Sequence, residues 1–176
     1  MPRASFTWRG RMADIAPLDP ERLIKTLAKH NVRYVLIGAV AARLQGFPRL
    51  TADADITPSR DRENLTHLAA ALRELDARVY TESLPEGLAF DCSAATLSRA
   101  DFWNLVTGAG RLDVAFTPSG TKGYEDLARR ALTFNVFGVT LRAASLEDII
   151  RSKEAAGRPQ DLQDVIVLRQ MLRQRK

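Results

Sequence analysis

Residues 51–57, TADADIT, constrain the fold more than any other part of this chain. Their alternation is typical of a β-strand, in which successive side chains point to opposite faces. Thr51, Asp53 and Asp55 therefore share one face. Two carboxylates this close repel each other unless a cation or a proton lies between them. The pattern is that of a Mg²⁺ site, because Mg²⁺ takes one or two protein carboxylates and completes its shell with phosphates and water. The alternative is a solvated strand face.

The segment before this strand predicts a phosphate-binding turn. Residues 34–37 have the apolar character of a buried strand, Gly38 and Ala39 form a turn, and residues 40–45 form a short helix. A strand that turns directly into a helix presents free backbone N–H groups, which bind phosphate without a side chain. A nucleotide would then lie between Gly38 and Asp53. The alternative is a glycine that serves only the turn.

A third carboxylate lies in an alternating strand at residues 110–116, where Asp113 interrupts a mostly apolar run. A buried charge without a partner is costly, so Asp113 either has a partner or reaches an open site. If this strand lies beside the strand of Asp53 and Asp55, the three acids form one triad. The sequence alone leaves that adjacency open.

A lysine extends the apolar face of a helix near the C-terminus. Ser145 is the predicted cap of this helix, with Asp148 in the capping-box position, and Lys153 continues its inward face. A lysine there either extends its amine to the surface or points into a pocket that contains anions.

A final helix begins at Pro159. Its pattern predicts that Leu162 and Ile166 are buried, together with Val165 and Leu172. Asp161 is placed at the margin of the apolar arc, with Asp164 further out.

Composition limits the remaining possibilities. The chain has 176 residues and a net charge of +5, enough for one domain with a sizeable core and compatible with a polyanionic partner. With one cysteine, Cys92, and two histidines, an internal disulfide is excluded and a Cys/His zinc site is disfavoured. No apolar run approaches the roughly 20 residues of a membrane span. We therefore expect a cytoplasmic protein without a membrane partner.

The predicted organisation is a flexible arm at residues 1–19, a core at 20–143, and C-terminal helices at 144–176 that complete the active site in one compact unit. Residues 81–87 are predicted to be a loop, and residues 88–104 to hold a short strand and a short helix.

Three blocks of sequence resemble a known family. They are GAVAARLQGFPRLTADADI, NLVTGAGRLDVAF and SLEDIIRSKEAAGRPQDLQDV. The chain resembles the minimal nucleotidyltransferases of the AbiEii and MenT toxin type, relatives of the DNA polymerase β-like superfamily, over about residues 32–170. The resemblance implies an α/β (α+β) fold, with a mixed sheet flanked by helices and a C-terminal helical segment. It also implies Mg²⁺, a nucleoside triphosphate substrate and nucleotide addition to the 3′ end of tRNA, with a cognate antitoxin as a further partner.

The resemblance also implies roles for particular residues. The metal ligands match Asp53, Asp55 and Asp113, and these three, with Lys153 and Asp161, are the expected catalytic residues. The nucleotide contacts match Gly38, Ala39, Thr51 and Lys153. The family more often has Gly-Gly or Gly-Ser where this chain has Gly38-Ala39, so one hydroxyl ligand is lost while the backbone donors remain. Thr51 is also a candidate for modification, because a phosphate there would repel the triphosphate.

Two other functions remain open. The chain could be a non-catalytic module of the same fold that binds a nucleotide or a partner. It could also be a nucleotidyltransferase that modifies a small molecule or a protein hydroxyl.

Overall fold

The computed structural model of the chain describes residues 15–175. Seven helices lie in this part of the chain: α1 (Pro20–Lys29), α2 (Gly38–Leu44), α3 (Arg62–Glu74), α4 (Ala94–Leu97), α5 (Tyr124–Ala128), α6 (Leu146–Ala156) and α7 (Pro159–Gln174). The predicted arm at residues 1–19 lies mostly outside the described residues. Its last part contacts the core, where the Asp19 amide donates to the Ala109 carbonyl over 2.9 Å.

Eight strands form one mixed sheet in the order β4-β3-β5-β6-β2-β1-β8-β7. They are β1 (Tyr34–Ile37), β2 (Asp53–Pro58), β3 (Arg78–Thr81), β4 (Leu84–Leu88), β5 (Phe102–Thr107), β6 (Gly110–Ala115), β7 (Leu132–Val136) and β8 (Val139–Ala143). The predicted α/β fold, with a mixed sheet and C-terminal helices, is confirmed.

The central strands bring together the parts of the sequence that carry charge. β2 lies between β1, which is antiparallel to it, and β6, which is parallel to it. Asp55 is in register with Ile37 on one side and with Asp113 on the other. The adjacency that the sequence left open is therefore present, and the three acids lie on neighbouring strands.

The two faces of these central strands differ in burial. One face carries apolar side chains that are almost completely buried in the hydrophobic core, namely Ala54, Ile56, Leu112 and Val114. The other face carries Asp53, Asp55, Arg111 and Asp113, which are only partly buried. The alternation expected from the sequence thus fixes which side of the sheet holds the charged groups.

The predicted loop at residues 81–87 is wrong, because residues 84–88 form β4, the edge strand of a hairpin with β3. Pro85 and Gly87 made this segment look irregular, but proline is tolerated on an edge strand. Gly87 has a positive φ of 84°, and a Cβ there would lie 2.6 Å from Arg78 and from Val106. The missing side chain lets β4 lie against its neighbours. The short helix and strand predicted within 88–104 are present as α4 and the start of β5.

Helix α7 buries Val165 as predicted, but the rest of its buried face differs from the prediction. Leu162 and Ile166 are 49% and 62% exposed, whereas Asp161 and Asp164 are buried with Val165 and Leu168. The apolar pattern had placed Asp161 at the margin of the buried face and Asp164 further out. Both acids instead pair with Lys153, which is largely buried, and each also pairs with one exposed arginine. These cations offset the cost of removing the acids from water.

This orientation of α7 predicts that Leu162, which the sequence pattern placed in the core, tolerates substitution better than Leu168. Leu162→Ala should change the free energy of unfolding by at most about 0.5 kcal/mol, as expected of a surface position. Leu168→Ala, on the same helix but fully buried, should cost about 2–5 kcal/mol. Urea denaturation of both variants measures the difference. Similar losses at the two positions would contradict the orientation.

Candidate active site

Gly38 brings the backbone of the β1–α2 turn against Asp55. Its φ is +65°, and a Cβ at this position would lie 2.3 Å from Asp55 Oδ2. Both the conformation and the close approach therefore require glycine. Ile37, the residue before α2, provides no side-chain cap for the first N–H groups of the helix. The free N–H groups at the start of α2 therefore lie next to the Asp55 carboxylate. This arrangement suits a phosphate that is bridged to the carboxylate by a metal ion.

The three predicted acids occupy different local environments. The Thr51 hydroxyl donates to Asp53 Oδ1 over 2.6 Å, which fixes that carboxylate. The contact gives Thr51 a positioning role, and its predicted contact with a nucleotide stays a prediction. Asp113 Oδ1 is buried and has no hydrogen-bond partner in residues 15–175. A buried carboxylate oxygen without a partner is costly, which favours a ligand at that point.

Burial and mutual repulsion raise the pKa values of two of these carboxyls. The pKa of Asp55 is raised to about 7, chiefly by burial and then by the charges of Asp53 and Asp113, while Lys153 and Arg158 oppose the shift. The pKa of Asp113 is raised to about 6 by burial and by Asp53. The site therefore carries excess negative charge that a divalent cation would neutralise.

The fit of these residues to Mg²⁺ rests on donor chemistry. No group of three or more His, Cys, Asp or Glu side chains in the described part of the chain is already arranged to hold a metal ion. Two carboxylates nevertheless suffice for Mg²⁺ when substrate phosphates and water supply the other ligands. Asp53 and Asp55, with the unpaired oxygen of Asp113, provide such donors. The three-carboxylate metal site stays a prediction.

Lys153 lies in a buried network of opposite charges. Its Nζ donates to Asp161 Oδ1 over 3.0 Å and to Asp164 Oδ2 over 2.9 Å, and its side chain is 11% exposed. The alternative of a lysine that reaches the surface is therefore wrong. Asp164 also accepts from Arg49 Nη2 over 2.8 Å. This contact ties the loop before β2 to helix α7.

Arg158 closes the same network on its solvent side. Its Nε donates to Asp161 Oδ2 over 2.6 Å, although 76% of the side chain is exposed. Burial alone would raise the pKa of Asp161, but hydrogen bonds from Arg158 and Lys153, and their charges, lower it overall. Asp161 is therefore an ionised anchor for the two cations, and Arg158 is the cation with more freedom to turn toward a ligand.

A cavity of about 480 Å³ connects these groups. Its lining includes Gly38, Asp55, Asp113, Lys153 and Arg158. Residues of β5, of the loop after β6 and of helices α5 and α6 also line it, namely Phe102, Thr117, Pro118, Ser119, Thr121, Leu127, Asp148, Ile149 and Ser152.

On the other side of Asp113, the charged face of the sheet continues across β5 and β3. Asn104 is in register with Asp113, and Phe102, in register with Ala115, is 52% exposed. Arg111 donates to Asn104 over 3.1 Å, and its guanidinium lies 4.3 Å from the centre of the Tyr80 ring. The third carboxylate is thus bordered by aromatic rings and a cation.

The structure brings every predicted site residue into one region, although the roles are unequal. Gly38 and Ala39 lie at the start of α2, and Lys153 and Asp161 lie within a charged network. Sequence reasoning placed Asp164 on the outside and overlooked Arg49. The spacing of Asp161 and Asp164, three residues apart, was a usable signal, since such a pair shares one helix face.

Comparisons with solved structures identify the fold. The lincosamide antibiotic adenylyltransferase LnuA, solved with lincomycin bound, superposes with a TM-score of 0.58 at 12% identity, covering 89% of this chain and 99% of that one. The antibiotic-resistance factor ANT(2″)-Ia gives a TM-score of 0.49 at 20% identity, over 88% of this chain and 89% of the other. A putative nucleotidyltransferase from Thermotoga maritima gives 0.47 at 16% identity, over 87% and 89%.

The chain therefore has the nucleotidyltransferase fold, as its likeness to LnuA shows. No protein-family model and no curated protein matches the sequence. The AbiEii and MenT toxin family accordingly stays a prediction. Among residues 15–175, no helix has both the length and the apolar character needed to cross a membrane.

The raised pKa values predict how metal-free stability depends on pH. The values of about 7 for Asp55 and about 6 for Asp113 exceed those of an unfolded chain. The native state therefore binds more protons, and the stability contributed by the protonated carboxyls is present below about pH 4 and is lost as the pH rises to about 7. Asp55→Asn should remove much of this loss, so in EDTA the variant should gain melting temperature over wild type as the pH rises.

The measurement is the difference in melting temperature between variant and wild type, because other carboxyls in the protein titrate with the opposite sign. Glu82→Gln, at an exposed acid outside the site, is the matched control. Added Mg²⁺ should stabilise wild type more at about pH 8 than at about pH 5, because protons compete with the metal. A pH-independent difference for Asp55→Asn would contradict the environment described for this carboxyl.

The buried network predicts a large stability cost for Lys153→Ala. This change leaves Asp161 and Asp164 with one arginine each, and loss of a buried pair partner costs about 3–5 kcal/mol. Arg158→Ala removes a mostly exposed partner and should cost less than about 1 kcal/mol. Denaturant titration of both variants tests this order. Adding Asp164→Asn to Lys153→Ala should recover stability, whereas equal costs for the two single variants would contradict the network.

Proposed function

We propose that this protein is a Mg²⁺-dependent nucleotidyltransferase that transfers a nucleoside monophosphate from a nucleoside triphosphate to a hydroxyl acceptor. The observation that carries the proposal is the pairing of β2 with β6, which places Asp55 beside Asp113 and next to the Gly38 turn. These groups line a cavity whose lining also includes Lys153 and Arg158. Acids for a metal and cations for a triphosphate are thus in reach of one substrate.

Each side chain then has a definable part in the reaction. Asp53 and Asp55 would hold Mg²⁺, which when bound neutralises the phosphate charges. Asp113 Oδ1, which has no partner in the described residues, accepts the proton of the attacking hydroxyl. The oxygen of the attacking hydroxyl forms the new bond to the α-phosphorus, and the bond between the α-phosphorus and the pyrophosphate leaving group breaks. Arg158 stabilises the departing pyrophosphate, while Lys153 holds Asp161 and Asp164 in place.

The charged sheet face beside Asp113 supports an RNA 3′ end as the acceptor, with tRNA the leading candidate. Phe102 and Tyr80 provide aromatic surfaces for unpaired bases, and Arg111 provides positive charge. A cationic small molecule is a poorer fit, because Arg111 and the exposed Arg78 on the same face would repel it. The net charge of +5 also favours a polyanion.

With tRNA as the acceptor, the protein would act as the toxin of a toxin–antitoxin pair and inhibit translation, and a cognate antitoxin would neutralise it. LnuA, whose structure contains lincomycin, marks the principal competing acceptor, a small-molecule hydroxyl. A non-catalytic module has less support, because a site without chemistry would have no need to keep three carboxylates together on neighbouring strands.

The decisive experiment offers the protein each labelled nucleoside triphosphate with Mg²⁺ and total RNA. Wild type should label a small RNA at its 3′ end, and Asp53→Ala should reduce labelling at least about a hundredfold, as loss of a key electrostatic contact does. Glu82→Gln should label like wild type. Labelling of lincomycin instead of RNA would reassign the acceptor. Full activity in Asp53→Ala would end the proposal.

A further inference from the structure

Asn104 lies beside Asp113, the residue that accepts the proton of the attacking hydroxyl in the proposed reaction. The two residues are in register in the antiparallel pair of β5 and β6, so their side chains share one face of the sheet, with their Cβ atoms about 5 Å apart. Asn104 is partly exposed. A group that meets the Asp113 carboxylate on this face therefore also comes within reach of the Asn104 amide.

A contact with Arg111 fixes which part of the Asn104 amide remains available. Arg111 Nη2 lies 3.1 Å from Asn104 Oδ1, and a guanidinium can only donate, so the amide oxygen faces it. The guanidinium lies in turn 4.3 Å from the centre of the Tyr80 ring. The amide nitrogen Nδ2 points away from Arg111, and the side chain makes no other hydrogen bond among the described residues. Its N–H donors are therefore available to a ligand beside Asp113.

The order of the central strands indicates which substrate lies there. One row of residues in register crosses β1, β2, β6 and β5, and it consists of Ile37, Asp55, Asp113 and Asn104. Gly38 follows Ile37, so the proposed phosphate site and Asn104 lie on opposite sides of Asp113. The hydroxyl that attacks the triphosphate must meet Asp113. The group beside Asn104 is therefore the acceptor, at the sugar that carries the attacking hydroxyl.

An aromatic ring lies two residues away on the same strand. Phe102 shares the sheet face of Asn104, is 52% exposed, and lines the cavity that Asp113 also lines. Side chains two residues apart on a strand are separated by about 7 Å, a distance that one nucleoside can span. A nucleoside with its sugar at Asn104 can thus place its base on the Phe102 ring, as unpaired RNA bases do on aromatic side chains.

We infer that Asn104 selects ribose over deoxyribose at the end of the acceptor, by donating a hydrogen bond from Nδ2 to the 2′-hydroxyl of the last nucleotide. The 3′-hydroxyl of the same sugar then meets Asp113, and the base lies on Phe102. Ribose has neighbouring hydroxyls for these two adjacent side chains, whereas deoxyribose leaves the amide without a partner. The inference rests on the proposed function, because it requires an RNA 3′ end as the acceptor.

The competing explanation is that Asn104 serves only to hold Arg111. Asn104→Leu removes the amide and keeps the approximate size of the side chain. Tyr80→Leu is the control for the holding role, because it removes the ring beside the same guanidinium and leaves the Asn104 amide in place. Asn135→Leu is the control for the substitution itself, since Asn135 is exposed on the edge strand β7, beyond the central strands.

The test measures the transfer of labelled nucleoside monophosphate, with Mg²⁺ and each nucleoside triphosphate, to two synthetic RNA hairpins that end in single-stranded CCA. The hairpins differ only in the last nucleotide, which carries ribose in one and 2′-deoxyribose in the other. Wild type, Tyr80→Leu and Asn135→Leu should each give a kcat/KM at least about tenfold higher with the ribose end, whereas Asn104→Leu should prefer it less than about threefold.

A third hairpin, with 2′-fluoro on the last sugar, separates recognition from reactivity. Fluorine withdraws electrons from the neighbouring 3′-hydroxyl as oxygen does but accepts hydrogen bonds poorly, so wild type should use this end about as slowly as the deoxyribose end. This measurement needs no variant and covers the case in which Asn104→Leu does not fold. Equal use of the ribose and 2′-fluoro ends by wild type would overturn the inference.

The other outcomes distinguish the inference from the proposed function. An unchanged preference in folded Asn104→Leu, no preference in wild type, or transfer to lincomycin but to neither hairpin would overturn the inference and leave the proposed function intact. A preference lost equally in Tyr80→Leu would show that it depends on Arg111 rather than on the amide, and would also overturn the inference. Wild-type protein that transfers to no hairpin, to no RNA and to no small molecule would end both.

Discussion

The parallel pairing of β2 with β6 is the contact on which the rest of the molecule depends. It places Asp55 in register with Asp113 although their charges repel. The opposite faces of the same strands bury Ile56, Leu112 and Val114 completely, and this burial stabilises the pairing. Because side chains alternate along a strand, the apolar contacts and the acidic face are inseparable. A shift of one residue in register would place the acids in the core.

The C-terminal helices are part of the site because they supply its cations. Lys153 and Arg158 both oppose the rise in the pKa of Asp55. Asp161 and Asp164 hold Lys153 in place, and Arg49 joins Asp164 to the loop that leads into β2. The position of α7 and the start of the acidic strand are therefore coupled through one charged network. A substitution in α7 should consequently shift the strand that carries Asp53 and Asp55, even where the substituted residue does not contact these acids.

Local pattern was sufficient for the parts of the structure in which local chemistry decides. Alternation in β2 and β6 predicted the acidic face, and Ser145 caps α6 as expected, accepting from the Asp148 amide. Pattern failed where a distant partner decides. Asp161 was placed at the margin of the apolar arc of α7, and Asp164 further out, because their pairing with Lys153 is a tertiary contact. Asp148 was recognised only as a capping residue. Residues 84–88 were predicted to be part of a loop because they contain Pro85, but their strand lies at the edge of the sheet, where proline is tolerated.

The buried carboxylates of this chain divide by whether the fold satisfies them. Asp161 and Asp164 have cationic partners within hydrogen-bonding distance. Asp113 Oδ1 has no hydrogen-bond partner in the described residues, and Asp148 is satisfied only at Oδ1, which meets Arg130 and Arg151. A fold retains such costly oxygens where a ligand completes them. Asp113 also adjoins Asp53 and Asp55, whose charges make a cation the favourable ligand at that point.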